Sequence, residues 1–492
     1  MIVCLHTPTL PFSNDLADVI RIFWGDAEIR VNGSGGDVLV SHTEKTEGRV
    51  RFCRIVAEGA FEGLSERSAE ISDDPLLEKR FHKRLIKQTL YDVMKQATGV
   101  LPPWGSLTGI RPTRLIYEGM SRGLSLEEAA EETRLRFDIR PDKADLLRQI
   151  VRVQQEIAPP RMNEVDLYVG IPFCVSRCAY CSFLSGEVGK GKQLQPYVEA
   201  LEKEIAGTLL LIREQGLTPR AFYMGGGTPT SLPPALLNRV LDAAQPFIDR
   251  AREVTVEAGR PDTIDESKLL VIRDHGATRI SVNPQTMHDK TLERIGRRHT
   301  TAQTEAAYAL ARRLGFRHIN MDLIAGLPGE NEDMFRQTLI WSRALFPESL
   351  TVHTLAIKRS SLLHLWEAQL PDGDMVSRMV EAGRQEAEAR GMRPYYLYRQ
   401  KHMAGNLENV GYALPGHECV YNIDMMEETG HVLAAGAGAI SKRVDPAVGR
   451  IERAPNVSEI SQYIERNEEM LARKRQLWAE KWPGEAGGVS CE

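Results

Sequence analysis

The sequence predicts an α/β protein whose centre is a partial (β/α)6 barrel, preceded by an α+β module and followed by an α+β extension. The first observation is that six apolar segments of strand length alternate with amphipathic helices between residues 164 and 370, which is typical of a parallel sheet with helical crossovers. The second is their number, since a closed barrel of this kind has eight such repeats. The third is that the alternation is absent from residues 1–158 and 371–492. The sequence therefore predicts three regions with these boundaries.

The N-terminal region is predicted to contain a small sheet and three helices. Its longest helix has clear ends, with Asp74 as the N-cap, Pro75 in the first turn and Gly99 just beyond the last turn. Two prolines at 159 and 160 mark a linker to the next region. The predicted strands are Met1–His6, Ala27–Asn32, Val38–His42 and Val50–Ala57, and the later helices are Leu126–Leu135 and Pro141–Ile157.

The central region supplies the barrel. In its first strand, apolar residues from Val165 to Ile171 alternate with polar residues and glycine, which predicts a half-buried strand. The helix predicted at Tyr197–Gln215 has an apolar stripe along one side. Ligands of such folds lie at the C-terminal ends of the strands. The predicted strand cores are Leu167–Ile171, Ala221–Met224, Val254–Val256, Arg279–Val282, Ile319–Ile324 and Leu350–Ala356.

The C-terminal region is predicted to begin with a helix near Met375–Arg390 and to close with a helix around Val457–Gln476. Between them lies a segment rich in tyrosines and basic residues, including Arg399, Lys401 and His402. These cations are candidates for binding anionic groups of a ligand. Packing of the same turn against the barrel is an equally good explanation.

Composition excludes several classes of protein. The 492 residues carry a net charge of −5, which gives no general support for nucleic-acid binding. No segment approaches the roughly 20 apolar residues that span a bilayer, and the first residues do not resemble a secretory signal. The seven cysteines are an odd number, and three of them are clustered, so a disulfide framework is not expected. We therefore expect a cytoplasmic protein in a reducing environment.

Three cysteines lie in one loop directly after the first barrel strand. Cys174, Cys178 and Cys181 have the spacing C-x3-C-x2-C, with no histidine or fourth cysteine close by in the sequence. A cuboidal iron–sulfur cluster takes four ligands, so three thiolates leave one iron open to an exogenous ligand. Zinc is the main alternative, although structural zinc sites usually have four protein ligands. A loop that carries cysteines without a metal is the third interpretation.

Other candidates for ligand binding lie at or beyond the ends of later strands. Gly226, Gly227 and Thr228 follow the second strand, where glycines let the backbone approach a ligand closely. Glu257 ends the third strand, and a carboxylate in that position can bind ribose hydroxyls. The remaining candidates are Gln285 at the end of the fourth strand, Arg297 after it, Asp322 on the fifth strand and Ala356 on the sixth.

The cysteine loop resembles that of the radical S-adenosylmethionine (SAM) enzymes, which use a partial, open barrel. The resemblance implies a 4Fe-4S cluster whose open iron is chelated by SAM, and an electron donor such as flavodoxin or ferredoxin. It also implies that the Gly225–Thr230 stretch binds the amino group of the methionine moiety.

A narrower resemblance covers about residues 165–445. The segments IPFCVSRCAYC, GGGTPT, SVNPQT, GRRHT and MDLIAGLPGE together resemble the oxygen-independent coproporphyrinogen oxidase group, which includes heme chaperones. Both flanking regions resemble one branch of that group. The resemblance implies SAM contacts by Tyr168, Tyr180, Gly226, Gly227, Thr228, Glu257, Gln285, Arg297, Asp322 and Ala356, with Tyr180 and Arg297 also needed for catalysis.

The chain departs from the group's best-known enzymes at Phe183, where they have an extra cysteine two residues after the third cluster ligand. Several of the implied SAM contacts belong, in those enzymes, to a second SAM site, so the departure bears on that site and on turnover of coproporphyrinogen. The heme chaperones of the group also have phenylalanine at this place. The chaperones carry a histidine–asparagine–x–x–tyrosine pattern late in the chain, which His417 and Tyr421-Asn422 match only loosely.

The resemblance leaves three functions open. The first is oxidative decarboxylation of coproporphyrinogen III to protoporphyrinogen IX in anaerobic heme biosynthesis. The second is binding of heme and its delivery to acceptor proteins. The third is another radical reaction on a tetrapyrrole.

Overall fold

The computed structural model describes residues 1–25, 27–109, 111–181, 186–357, 370–401, 403–445 and 449–479. The chain divides into two compact units, one comprising residues 1–148 and 399–402 and the other residues 149–398 and 403–492. The division into three regions made from the sequence remains a prediction. Within the described residues, no helix is long and apolar enough to cross a membrane.

The first unit contains a five-stranded sheet with the strand order β2-β1-β3-β4-β5. The strand β1 pairs in parallel with β2 and β3, while β3, β4 and β5 form an antiparallel meander. The strands are β1 (Ile2–His6), β2 (Glu28–Val31), β3 (Val38–Glu47), β4 (Val50–Gly59) and β5 (Gly63–Glu70). The helices are α1 (Ser13–Phe23), α2 (Pro75–Thr98), α3 (Thr113–Met120), α4 (Leu126–Phe137) and α5 (Pro141–Gln155), the last of which continues into the second unit.

The ends of α2 are those predicted from the sequence. The Asp74 side chain accepts hydrogen bonds from the backbone N–H groups of Leu76 and Leu77, which have no partner inside the helix. Gly99 ends the helix with φ of 68°, in the left-handed region that favours glycine. By contrast, β5 was not predicted, because its sequence GLSERSAE has no apolar alternation and the strand forms through its pairing with β4.

The second unit is built on an eleven-stranded sheet with the order β14-β15-β13-β12-β11-β10-β9-β6-β16-β17-β18. Its strands, with a short separate β7–β8 pair, are β6 (Glu164–Ile171), β7 (Phe173–Cys174), β8 (Gly186–Glu187), β9 (Thr218–Gly226), β10 (Glu253–Gly259), β11 (Arg279–Val282), β12 (Ile319–Ala325), β13 (Ser349–Thr354), β14 (Arg393–Tyr398), β15 (Asn409–Ala413), β16 (His431–Ala435), β17 (Ile440–Asp445) and β18 (Arg450–Pro455). The helices are α6 (Leu194–Glu214), α7 (Pro234–Ile248), α8 (Glu266–Asp274), α9 (Asp289–Arg294), α10 (Thr301–Arg313), α11 (Glu332–Leu345), α12 (Gly373–Ala389), α13 (Val420–Glu427), α14 (Ile460–Glu465) and α15 (Asn467–Ala479).

The predicted α/β architecture is confirmed in the second unit. The six strands β6, β9, β10, β11, β12 and β13 lie side by side in chain order and pair in parallel. The sheet is open, with β14 and β18 as its outer strands. The C-terminal region adds strands to both sides of the six, since β15 pairs antiparallel with β13 and β16 pairs in parallel with β6.

Two sequence expectations were wrong in detail. The strand β6 is buried along nearly its whole length rather than half-buried, and even Asp166 is only 1% exposed. Its neighbours explain this, because Asp166 accepts a hydrogen bond from the backbone N–H of Ala221 and Tyr168 stacks on Tyr223. The closing helix is also interrupted: α14 and α15 are separate helices with Arg466 between them.

A buried ion pair joins α15 to α6, and a hydrogen bond to the same carboxylate joins α14. The Lys474 ammonium donates to the Glu204 carboxylate over 2.6 Å, and both side chains are fully buried. The same carboxylate accepts hydrogen bonds from Tyr463, from Asn456 and from the backbone N–H of Gly436. A charged pair without access to water is stable only when its other hydrogen-bonding capacity is satisfied, as it is here.

Candidate metal and cofactor site

The cysteine loop begins where β6 ends and is held at several points by backbone hydrogen bonds. Pro172 interrupts the strand, and the short β7–β8 pair ties the start of the loop to the chain beyond it. The N–H of Val188 donates to Cys174 O over 2.9 Å, and the N–H of Ala179 donates to Ile295 O over 2.9 Å. The loop is therefore fixed to its own continuation and to the end of α9.

The three cysteines differ in exposure but share one loop. Cys178 is 8% exposed, while Cys174 and Cys181 are half-buried. Among the described residues, no three His, Cys, Asp or Glu side chains are arranged around a single metal ion. Three thiolates without a fourth protein ligand are a donor set that leaves one iron of a cuboidal cluster open to an exogenous ligand.

The glycine stretch at the end of β9, residues 225–227, lies directly against this loop. A Cβ atom added to Gly227 would lie 2.6 Å from Phe173 O and 3.0 Å from the Cys174 Sγ atom. Gly226 has φ of 113°, where side chains are strained. The Thr228 hydroxyl lies 3.5 Å from the same Sγ atom. Only glycine fits at 226 and 227, and the stretch lines one side of Cys174.

Glu257 lies on β10 beside this stretch. Its carboxylate accepts a hydrogen bond from the Tyr223 hydroxyl, and a Cβ atom on Gly225 would lie 2.8 Å from Glu257 Oε2. Burial raises the pKa of Glu257 to about 7, and the nearby charge of Asp322 adds to this rise. Tyr168 on β6 joins the group through its ring, which stacks on Tyr223 at 6.3 Å. Burial also raises the pKa of Tyr168 above its ordinary value.

Gln285 and Asp322 are joined through their backbones. The N–H of Gln285 donates to Asp322 O over 3.0 Å, and Gln285 has φ of 68°, which is uncommon for a residue with a side chain. Gln285 lies three residues beyond β11, not on it as expected from the sequence. Its buried Oε1 atom has no hydrogen-bond partner within the described part of the chain. Such an atom is costly unless a ligand or water supplies a donor.

The Asp322 side chain has its own partners. It accepts a hydrogen bond from Asn320 over 2.8 Å, and its Oδ2 atom lies 3.7 Å from His353 Nε2. Burial alone would raise the pKa of Asp322, but His353 and Asn320 lower it below its ordinary value. Ala356 lies two residues beyond β13, where it forms an isolated bridge with Met403.

Arg297 connects the cysteine loop to β11. It donates to the Tyr180 hydroxyl over 3.1 Å and to Asn283 O over 2.9 Å, and it is 8% exposed. Burial favours the neutral form, but Tyr180 and Cys178 hold the pKa of Arg297 above its ordinary value. Its Nε atom has no hydrogen-bond partner among the residues described. The structure thus brings together Tyr180 and Arg297, the two residues that the resemblance implies are needed for catalysis.

A second buried arginine, Arg260, was missed in the sequence. It follows the end of β10, donates to Ser176 O over 3.0 Å and lies 3.7 Å from Cys178 Sγ. The signal was present, because Arg260 lies three residues after Glu257 at the same strand end. The position of Arg260 at a strand end marks it as a candidate for ligand binding. The sequence does not reveal that its side chain contacts Cys178 in the earlier loop.

The cations proposed to bind anionic ligand groups have protein partners in the first unit. Arg399 donates to Leu107 O over 2.6 Å and lies over the ring of Trp104. Lys401 pairs with Asp18 over 2.6 Å. Two further residues lie outside the described residues. They are His402, the third candidate for binding anionic groups, and Phe183, which stands where the best-known enzymes have an extra cysteine.

Tyr421, which belongs to the loose chaperone-like pattern, is buried between aromatic rings. It stacks on Tyr223 at 4.4 Å and on Tyr168 at 6.2 Å. His417 of the same pattern contacts His318 instead, with their Nδ1 atoms 3.3 Å apart. The two residues therefore have different surroundings, and Tyr421 is the one that packs beside the Glu257 group.

The chain is similar to several known proteins. The sequence profile of the Radical SAM superfamily matches residues 168–341. The oxygen-independent coproporphyrinogen-III oxidase-like protein HemZ of Bacillus subtilis is 37% identical, over 96% of this chain and 95% of its own length. The heme chaperone HemW of Escherichia coli is 30% identical, over 60% of this chain and 74% of its own length.

A solved structure shares the fold. Coproporphyrinogen III oxidase (HemN) from Escherichia coli superposes with a TM-score of 0.50 and 22% identity, covering 64% of this chain and 72% of that one. At this level of identity the likeness concerns the fold.

Proposed function

The chain belongs to the radical SAM superfamily and, within it, to the family of oxygen-independent coproporphyrinogen oxidase-like proteins that includes HemZ, and we therefore propose that it is a SAM-dependent oxidoreductase acting on coproporphyrinogen III. The observation that supports this proposal is the 37% identity with the HemZ relative, which extends over 96% of this chain and 95% of that protein. The similarity therefore includes the regions on both sides of residues 168–341, which match the superfamily.

We assign the 4Fe-4S cluster to Cys174, Cys178 and Cys181, with one iron left for SAM. The buried cations Arg260 and Arg297 beside the loop favour the negative charge of a thiolate-bound cluster. When bound, the cluster and SAM supply the one-electron chemistry that starts a radical reaction. The chain's own residues bind and orient these groups and keep water from them.

Of the proposed SAM contacts, Gly227 and Thr228 lie beside Cys174, and Arg297 contacts Tyr180 within the cysteine loop. The backbone at Gly226 and Gly227, with the Thr228 hydroxyl, lies closest to Cys174 and suits the polar methionine end. Glu257 and Tyr168 suit the nucleoside, since a carboxylate binds ribose hydroxyls and an aromatic ring packs on an apolar face. The further contacts that we propose are Tyr180, Gln285, Arg297, Asp322 and Ala356.

Two of these residues have surroundings that suit a catalytic role. The Arg297 guanidinium stays charged while buried, and its Nε–H is available to a carboxylate, a group that arginine binds well. Tyr180 is held by Arg297 and stays protonated, since burial raises its pKa. We propose that both contact the reacting ligands at the cysteine loop.

In the proposed reaction, two propionate groups of the tetrapyrrole each lose carbon dioxide, a hydrogen atom and one electron and become vinyl groups; bound SAM would supply the acceptor of the hydrogen atom, and an external one-electron acceptor would take the electron. The product is protoporphyrinogen IX. An external one-electron donor, such as a flavodoxin or ferredoxin, would reduce the cluster. We further propose three functional regions, 1–158, 164–370 and 371–492, and a cytoplasmic location, because an open-iron cluster needs a reducing environment.

A second candidate function is heme binding and delivery, and the relatives named heme chaperones favour it. The chaperone HemW of Escherichia coli matches 60% of this chain, whereas the HemZ relative matches 96%. The residues that extend beyond the chaperone match therefore favour the oxidoreductase, as does the loose match of His417 and Tyr421-Asn422 to the chaperone pattern.

The experiment that separates these functions is an anaerobic assay with coproporphyrinogen III, SAM and a reductant. We expect carbon dioxide release that depends on SAM, with protoporphyrinogen and its monovinyl intermediate detected by chromatography. Arg297→Lys should lower the yield strongly, because lysine cannot hold Tyr180 and Asn283 O with a planar fork.

A heme titration of the same preparation provides the comparison. No product from a fully reduced cluster, together with saturable stoichiometric heme binding, would reject the oxidoreductase in favour of the chaperone. SAM cleavage with neither outcome would point to another radical reaction on a tetrapyrrole.

A further inference from the structure

Arg260 is placed between the cysteine loop and a carboxylate, although no proposed SAM contact involves it. Its guanidinium donates Nη1–H to Ser176 O over 3.0 Å, and the same nitrogen lies 3.7 Å from Cys178 Sγ. The residue is 3% exposed, so its charge acts where water provides little screening.

The position of Arg260 is fixed from the other side by Asp262. The Nε and Nη2 atoms of Arg260 donate to the two carboxylate oxygens over 3.0 and 2.9 Å. Burial alone would raise the pKa of Asp262, but the hydrogen bonds and charge of Arg260 lower it, so the carboxylate is ionised. A bidentate pair of this kind holds the guanidinium plane in one orientation and leaves Nη1 directed at the loop.

We propose that Arg260 is a positioning residue that sets the reduction potential of the cluster, an inference that rests on the proposed assignment of that cluster to Cys174, Cys178 and Cys181. Reduction adds one electron to the cluster and therefore one negative charge. A buried cation near a ligand sulfur stabilises the reduced form more than the oxidised form. Hydrogen bonds to the sulfurs and the local net charge are known determinants of such potentials.

Asp262 has the opposite effect in this arrangement. It keeps Arg260 in place, but its negative charge offsets part of the cation's influence. Removing the positive charge should therefore make reduction harder, and removing the negative charge should make it easier. A residue that merely held the loop together would produce no such pair of opposite shifts.

The test is an anaerobic potentiometric titration of the cluster, followed by electron paramagnetic resonance of the reduced form. Compared with the parent, we expect a more negative midpoint potential for Arg260→Gln and a more positive one for Asp262→Asn. Arg260→Lys keeps the charge without the planar fork, so a smaller negative shift is expected. Arg273→Gln, a change in α8 at a residue paired with its neighbour Asp274, is the control and should show no shift.

Each outcome decides the proposal. Equal potentials for the parent and Arg260→Gln, or shifts of the same sign for the Arg260 and Asp262 variants, would overturn it. If Arg260→Gln loses its cluster, the test rests on the other two variants. Equal potentials for the parent and Arg260→Lys, or shifts of the same sign for Arg260→Lys and Asp262→Asn, would then overturn the proposal. If none of the three retains a cluster, Arg260 only builds the loop and the inference is rejected. A parent protein without iron would instead reject the cluster assignment itself.

Discussion

Replacing Cys178 by alanine should leave the protein without its iron–sulfur cluster and unable to cleave SAM. With Cys178 gone, Cys174 and Cys181 leave two irons without a protein ligand, and a cuboidal cluster with two thiolates is not retained. The measurement is iron and sulfide content after anaerobic purification, with about four of each per parent chain and none in the variant. The same loss is expected for Cys174→Ala and Cys181→Ala.

The matched control is Cys4→Ala, which changes a buried cysteine of the first unit. The Cys4 thiol donates to Gly35 O, and Cys4 forms no disulfide. This variant should keep the full iron content. One tightly bound zinc per parent chain, without iron or visible absorption, would contradict the assignment.

Replacing Lys474 by methionine should destabilise the second unit by about 3–5 kcal/mol. The change leaves the Glu204 carboxylate buried without its cation, and its remaining donors are Tyr463, Asn456 and Gly436 N–H. Denaturant unfolding under anaerobic conditions measures the free energy of unfolding. Lys203→Met, at an exposed position of the same helix as Glu204, is the control and should change it little.

A double variant separates the charge from the packing. Glu204→Gln combined with Lys474→Met removes both charges, so it should be less destabilised than Lys474→Met alone. If Lys474→Met lowers the free energy of unfolding by less than about 1 kcal/mol, which is the range of exposed ion pairs, the pair does not stabilise the packing of α15 on α6.

The sequence was sufficient for features that depend on neighbouring residues. The ends of α2 follow from Asp74, Pro75 and Gly99, each of which acts within one turn of the helix. The six parallel strands follow from apolar segments separated by helices, because that alternation is local as well. The β5 strand and the strands added to both sides of the barrel sheet depend on pairing between distant segments, and no local pattern reveals such pairing.

The same distinction applies to the candidate site. The cysteine spacing and the glycine stretch could be recognised as motifs, and the structure places Gly227 against Cys174. Arg260 could not be connected with Cys178, because the two residues are 82 positions apart in the sequence. The raised pKa of Glu257 also depends on burial and on the charge of Asp322, which only the folded chain brings together.

The most direct test of the central claim is to quantify SAM products after reduced protein is mixed with SAM under anaerobic conditions. We predict 5′-deoxyadenosine and methionine in equal amounts, since both come from cleavage of one bond. Glu257→Ala should keep its iron but require more SAM for the same rate, because its proposed contact is with the nucleoside. A reduced protein that holds four irons per chain and yields neither product would contradict the claim.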